Sequence, residues 1–175
     1  YDLDQHFNRW IFRSHRKPIE LGESRQTPDA QVSNHERFYS DNNSCLRKTA
    51  WEQVPIPEVI YGEDQLWAIE ILRHGFKKAY ASTAVVRHSH EYNFRETLIR
   101  SNTEWHFYQQ HLKECLPSTK KEVRAMIETS CMNDEKAQKL FPEITMDQLS
   151  ARRKLHFARA CGYYLAGKGI GCIRP

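Results

Sequence analysis

The chain has no apolar run approaching the roughly 18 residues of a membrane-spanning helix, no Cys-x-x-Cys pair, no internal repeat and no low-complexity tract. Each absence removes a class of protein. A helical membrane span is excluded by the first. The five cysteines (Cys45, Cys115, Cys131, Cys161 and Cys172) are scattered and odd in number. That argues against a disulfide framework or a structural zinc site and for a reducing compartment. Strong charge of one sign is also lacking. The net charge of +4 gathers in Lys120-Lys121 and Arg152-Arg153-Lys154, and these short runs read as solvated helix faces, so no nucleic-acid partner is expected. The aromatic stretch 105–111, with His106 and His111, has helical spacing and reads as core plus surface rather than as a base-stacking platform. No signal peptide is evident, and the chain opens at Tyr1 without an initiator Met. The expectation is a fragment of a longer protein from which a leader could have been lost.

What is present suits a folded protein. The 175 residues are 39% hydrophobic and 27% charged, enough material for one domain with a real core. Residues 4–15 have helical spacing, with Phe7, Trp10 and Ile11 on one side, and 17–36 read as a long polar loop. Pro55-Ile56-Pro57 cannot lie inside a helix, because each ring removes a donor and pushes the preceding residue to extended geometry. From Glu63 the spacing of Leu66, Trp67, Ile69, Ile71 and Leu72 predicts a helix closed by Gly75 as a left-handed cap. Phe76 to Tyr80 and Ala84 to Arg87 read as short strands. Helices are predicted over 94–113, 119–131 and 146–166, broken by Pro117 and Pro142 and ended by Gly167, Gly169 and Gly171.

Two stretches carry the chemistry. Tyr61-Gly62-Glu63-Asp64 sets paired carboxylates in a first helical turn, where the macrodipole favours them in any case, with the aromatic Trp67 following. Ala84-Val85-Val86-Arg87-His88-Ser89-His90 ends an apolar segment on two alternating imidazoles, which on a strand share a face. A carboxylate that accepts a proton and a histidine that holds a metal are what a metal-assisted group transfer needs, although a surface strand end explains His-x-His equally well. In Asp41-Asn42-Asn43-Ser44, Ser44 is a candidate N-cap for a short helix carrying Arg47 and Lys48.

Taken in order, Phe38-Tyr39-Ser40-Asp41-Asn42-Asn43-Ser44-Cys45-Leu46-Arg47-Lys48, Trp51-Glu52-Gln53-Val54-Pro55, Gly62-Glu63-Asp64-Gln65-Leu66-Trp67, Gly75-Phe76, Ala79-Tyr80 and the segment 84–90 carry a likeness. The set resembles the second half of bacterial family 2 glycosyltransferases of the GT-A fold, in particular rhamnosyltransferase-like members that build surface polysaccharides. The likeness covers residues 37–94. Gly162-Tyr163-Tyr164-Leu165-Ala166-Gly167 is more loosely similar to the family's closing helix.

The resemblance implies an α/β fold. Residues 1–93 would be the acceptor-side part of a GT-A domain with short strands and helices, and 94–175 a helical C-terminal extension. It implies Asp64 as the general base and Glu63 as a group orienting the acceptor. Asn43, Ser44 and Trp67 would lie beside the substrates, and His90 on the donor phosphates. His88 would join D-x-D carboxylates in holding Mg²⁺ or Mn²⁺. Asp2-Leu3-Asp4 has the letters of a D-x-D, but no apolar segment precedes it, and a helix N-terminal pair explains it as well. The chain departs from the family in lacking a glycine-rich phosphate loop and the nucleotide-binding half, so the isolated chain is expected to be inactive. No Q-x-x-R-W follows Asp64, which favours single addition over processive synthesis.

The function implied is inverting, metal-dependent transfer of one sugar, with rhamnose a candidate. The partners would be a nucleotide-sugar donor and a glycan or lipid-linked acceptor. The location expected is the cytoplasm or the inner face of the cell membrane, with the basic helices offering peripheral association. A non-catalytic interaction domain on the same scaffold is the competing reading. A small metal-dependent hydrolase using His88, His90 and Asp64 is a third.

Overall fold

A computed structural model describes residues 32–81, 84, 86 and 90–171, the side chain of His35 excepted. The helix expected over 4–15, and the part of the expected loop before Val32, lie outside the described residues. The chain divides into two compact units, with the boundary between Ser89 and His90.

The first unit is built round one well-buried helix. Short α1 (Asn34–Arg37) is opened by a capping box in which Ser33 and Glu36 satisfy each other's backbone N–H groups. A 3₁₀ turn, Asp41–Asn43, and α2 (Lys48–Gln53) follow. Ser44 is extended and caps nothing; α2 begins after Arg47, without a side-chain cap. The chain stays out of helix through Pro55 and Pro57 until Gly62, whose positive φ of 72° starts α3 (Glu63–Arg73). Trp67, Ala68, Ile69, Ile71 and Leu72 of α3 are buried and form the core with Val32, Ala50 and Val54. At its end the N–H of Phe76 reaches the carbonyl of Ile71 and that of Gly75 reaches Leu72, with Gly75 at φ 78°. That pair of bonds is a Schellman cap, and it needs the left-handed residue that glycine provides.

The expected α/β architecture is not what forms. The described residues hold helices and no strand, so the partial GT-A half with its short strands is overturned. Residues 76–80, expected as a strand, contain a single isolated bridge at Lys78, and the described positions 84 and 86 are irregular. A strand persists only with a partner ladder, and among the described residues none runs beside 76–80. The buried Lys78 Nζ donates to the carbonyls of Glu36 (2.5 Å) and Phe38 at the end of α1. Burial pushes the Lys78 ammonium down to about 8, with Glu36 opposing the shift.

The second unit is a helical bundle. It comprises α4 (Phe94–Phe107), a π-turn (Tyr108–Leu112), α5 (Lys120–Leu140) and α6 (Met146–Gly167). Each α-helix opens on a capping box: Asn93 with Glu96, Thr119 with Glu122, and Thr145 with Gln148. In the predicted span 94–113 the α-helix gives way to the π-turn, which Lys113 ends at φ 55°. The helix predicted over 119–131 runs on to Leu140.

Helix α6 packs most extensively on α4 and next on α5. Against α4 it presents Gly162, facing Ser101 and Asn102, in a line of buried small residues at four-residue spacing with Ala158 and Ala166. A Cβ on Gly162 would lie 2.4 Å from the Leu98 carbonyl oxygen and 2.9 Å from Ser101 Cβ, so the helices approach as closely as glycine permits. The Asn102 amide donates to the carbonyls of Gly162 (3.3 Å) and Ile170 (2.9 Å), tying down the turn after α6. Against α5 the contact is ionic. Buried Asp134 accepts from Arg152 Nε (3.0 Å) and His156 Nε2 (2.8 Å), and Glu135 pairs with Arg153 at 2.6 Å. Among the described residues no helix is long and apolar enough to cross a membrane. Cys45, Cys115, Cys131 and Cys161 are free thiols.

Candidate active site

The head of α3 holds the strongest chemical feature of the first unit. Gly62 adopts the left-handed conformation, its carbonyl accepts from Leu66 N–H (3.0 Å), and the turn delivers Glu63 and Asp64 as the first two helical residues. Asp64 lies three positions before Trp67, so the two share one side of the helix. Trp67 is only 2% exposed, its indole N–H donates to the Val54 carbonyl at 2.6 Å, and the Tyr39 ring meets it edge-on at 5.2 Å. Asp64 therefore starts at solvent and leans toward the core.

That position sets its acidity. Desolvation raises the Asp64 carboxyl from the ordinary 3.8 to about 6. The backbone N–H of Gln65, donating to Oδ1 at 2.7 Å, pulls the other way, while the like charges of Glu63 and Asp41 add to the rise. A carboxylate with this acidity is largely ionised at neutral pH yet basic enough to take a proton.

The 3₁₀ turn belongs to the same site. Asp41 is near enough to act electrostatically on Asp64, and the amide of Asn43, two residues on, donates to the Ala84 carbonyl at 2.9 Å. The turn thereby reaches both the carboxylate pair and the chain just before the expected histidines. Asn43 and Ser44 are exposed. Trp67, expected beside a substrate, has its indole enclosed and its N–H taken up by the Val54 carbonyl.

His90 lies in the second unit, where its ring stacks on Tyr92 at 4.8 Å. Asp2, Asp4 and His88 lie outside the described residues. Among the described residues, no group of three or more His, Cys, Asp or Glu is placed to hold a metal ion. The described residues by themselves thus do not make up the cradle that the family resemblance implies for Mg²⁺ or Mn²⁺.

Two participants escaped the sequence reading. Asp41 was read only as part of a turn, and nothing local distinguishes it from a turn-forming aspartate. Tyr39 packs on Trp67, and among the described residues its buried hydroxyl has no hydrogen-bond partner, an uncommon state for a phenol.

Comparison with known proteins adds a partial match. Over 65 residues the chain is 38% identical to the O-antigen chain rhamnosyltransferase RfbN of Salmonella typhimurium (strain LT2), covering 36% of this chain and 21% of that protein. The chain spans about a fifth of the length of the curated relative it matches. No protein-family profile and no solved structure matches the chain. The relationship is glycosyltransferase-like and confined to part of the chain.

Proposed function

We propose that the chain is part of a glycosyltransferase of polysaccharide synthesis in which Asp64 is the general base. The observation that carries this reading is the half-buried Asp64 carboxylate at the head of α3, raised to about 6. The partial likeness to a rhamnosyltransferase supplies the reaction class. In the reaction the acceptor hydroxyl passes its proton to Asp64 while its oxygen bonds to the anomeric carbon of a nucleotide-activated sugar. The bond to the nucleotide diphosphate breaks on the opposite face, so the anomeric centre inverts. Rhamnose is the sugar proposed, and a glycan or lipid-linked saccharide the acceptor. Glu63 and Asn43 orient that acceptor. Mg²⁺ or Mn²⁺ on the donor diphosphate stays part of the proposal, with Asp2, Asp4 and His88 as its residues.

Sugar transfer from nucleotide-activated rhamnose to a saccharide acceptor, measured on the protein as its cell produces it, tests the base. Asp64→Asn keeps the shape and removes the proton acceptor, so transfer should fall by about 10²–10⁴-fold. In the wild type kcat/KM should rise through about pH 6 and level off above it, following ionisation of Asp64. Transfer near the wild-type rate in Asp64→Asn would remove Asp64 as the base and favour a non-catalytic interaction domain.

A further inference from the structure

The charged residues of α6 fall into two groups. Arg152, Arg153 and His156, turned toward α5, are each engaged by Asp134 or Glu135. On another face, Asp147, Ser150 and Lys154 recur at helical spacing, and among the described residues their side chains make no hydrogen bond or ion pair. These three, with Ala151 and Leu155, line one side of a solvent-open cavity of about 440 Å³, whose other side is Tyr92 and Phe94. The aromatic side is partly braced. Tyr92 stacks on His90, lies under the Arg100 guanidinium at 5.3 Å and accepts from Arg100 Nη1 at 3.3 Å. Phe94, at the mouth, is 43% exposed and sits 6.3 Å from the ring of Phe157, itself 54% exposed.

The geometry points to a saccharide-binding site here, with Phe94 as the stacking surface and Asp147, Ser150 and Lys154 as hydroxyl partners. A sugar ring has an apolar C–H face and a rim of hydroxyls that both donate and accept. The cavity matches both properties: an accessible aromatic ring on one wall and, on the other, a carboxylate that accepts, an ammonium that donates and a hydroxyl that does either. One acid and one base leave the wall without net charge, which suits a neutral polyhydroxylated ligand better than a phosphate or an acidic membrane surface. Resting on the transferase reading, the occupant is the growing saccharide acceptor, held in the helical unit at residues other than those that do the chemistry. Such a site would give the enzyme affinity for its acceptor without touching the reacting hydroxyl.

The test uses the 175-residue chain and small neutral probes: methyl α-L-rhamnoside, methyl α-D-mannoside and methyl α-D-galactoside, with inorganic phosphate as the anionic control. At least one glycoside should shift the backbone amide resonances of Phe94, Ser150, Ala151 and Lys154 in a saturable titration and receive saturation transfer from the protein. Phe94→Ala and Lys154→Ala, both at exposed positions, should each weaken that binding by about tenfold while circular dichroism is unchanged. Asp64→Asn should bind as the wild type does. The proposal is overturned if no glycoside binds, if binding persists undiminished in both cavity variants, or if phosphate produces the same shifts. The two readings fail separately. Cavity binding with normal transfer in Asp64→Asn would sink the base assignment and keep the site, whereas base-dependent transfer with no glycoside at the cavity would sink the site alone.

Discussion

At the scale of the residue, Asp64 trades stability for reactivity. Below pH 3.8 the carboxyl is protonated in both folded and unfolded chains, and its burial has no pH-dependent effect. Between 3.8 and about 6 the folded chain keeps a proton that the unfolded chain has lost, so stability falls as pH rises, and above about 6 the penalty is complete. Asparagine carries no charge at any pH and still accepts from the Gln65 N–H. Asp64→Asn should therefore match the wild type near pH 4 and exceed it at pH 7. The full displacement would be worth about 3 kcal/mol, and screening at this partly exposed group reduces the expected gain to about 1 kcal/mol. Denaturant midpoints of the two proteins across that pH range provide the check, and a variant less stable than wild type at pH 7 would contradict the desolvation account. The carboxylate pair was legible in the sequence because neighbours on a helix start need no tertiary information. The influence of Asp41 was not, because it depends on how the chain returns from residue 41 to 64.

Among the helices, the ends were written in the sequence more plainly than the spans. Ser33-x-x-Glu36, Asn93-x-x-Glu96, Thr119-x-x-Glu122 and Thr145-x-x-Gln148 are capping boxes in the letters and in the structure. Gly75 and Gly169, at φ 78° and 72°, close α3 and α6 in the same way, with Ile170 N–H reaching the Leu165 carbonyl at the second of these. The strands failed because a strand is not a local object. Phe76 to Tyr80 carries β-compatible residues, but its register depends on a partner, and among the described residues the segment holds only the single bridge at Lys78. The packing of α4 on α6 makes a sharper prediction. Gly162→Ala places a methyl against backbone rather than against a movable side chain, so the helices must separate. A loss of about 2–3 kcal/mol is expected from denaturant unfolding. A loss below about 0.5 kcal/mol would show that the close approach is dispensable.

On the scale of the whole molecule, each unit has its own interior. Phe107, Ile144, Leu149, Ala158, Ala160, Tyr163 and Ala166 bury one another's surroundings within the helical unit, and its three capping boxes are all internal to it. Residues 90–175 alone should therefore fold, because domains of this size with a separate core commonly do. A helical circular dichroism spectrum with one cooperative thermal transition is the expected result, and a non-cooperative melt would show that the core needs residues before His90.

What the sequence determined by itself was whatever depends on neighbours within a turn or two. The α3 helix with its carboxylate head and Gly75 stop belongs here, as do the breaks at Pro55, Pro57 and Pro142 and the amphipathic helices after Phe94, since periodicity, caps and proline act over a few residues. Tertiary structure alone decided the rest. It enclosed the Trp67 indole, brought Asp41 into range of the Asp64 carboxylate, and set the Lys78 ammonium on the end of α1. Among the described residues it also left the side chains of Asp147, Ser150 and Lys154 unengaged while their neighbours on α6 were paired. Desolvation, charge proximity and hydrogen-bond satisfaction depend on separations in space, and a chain's letters carry separations only along its length.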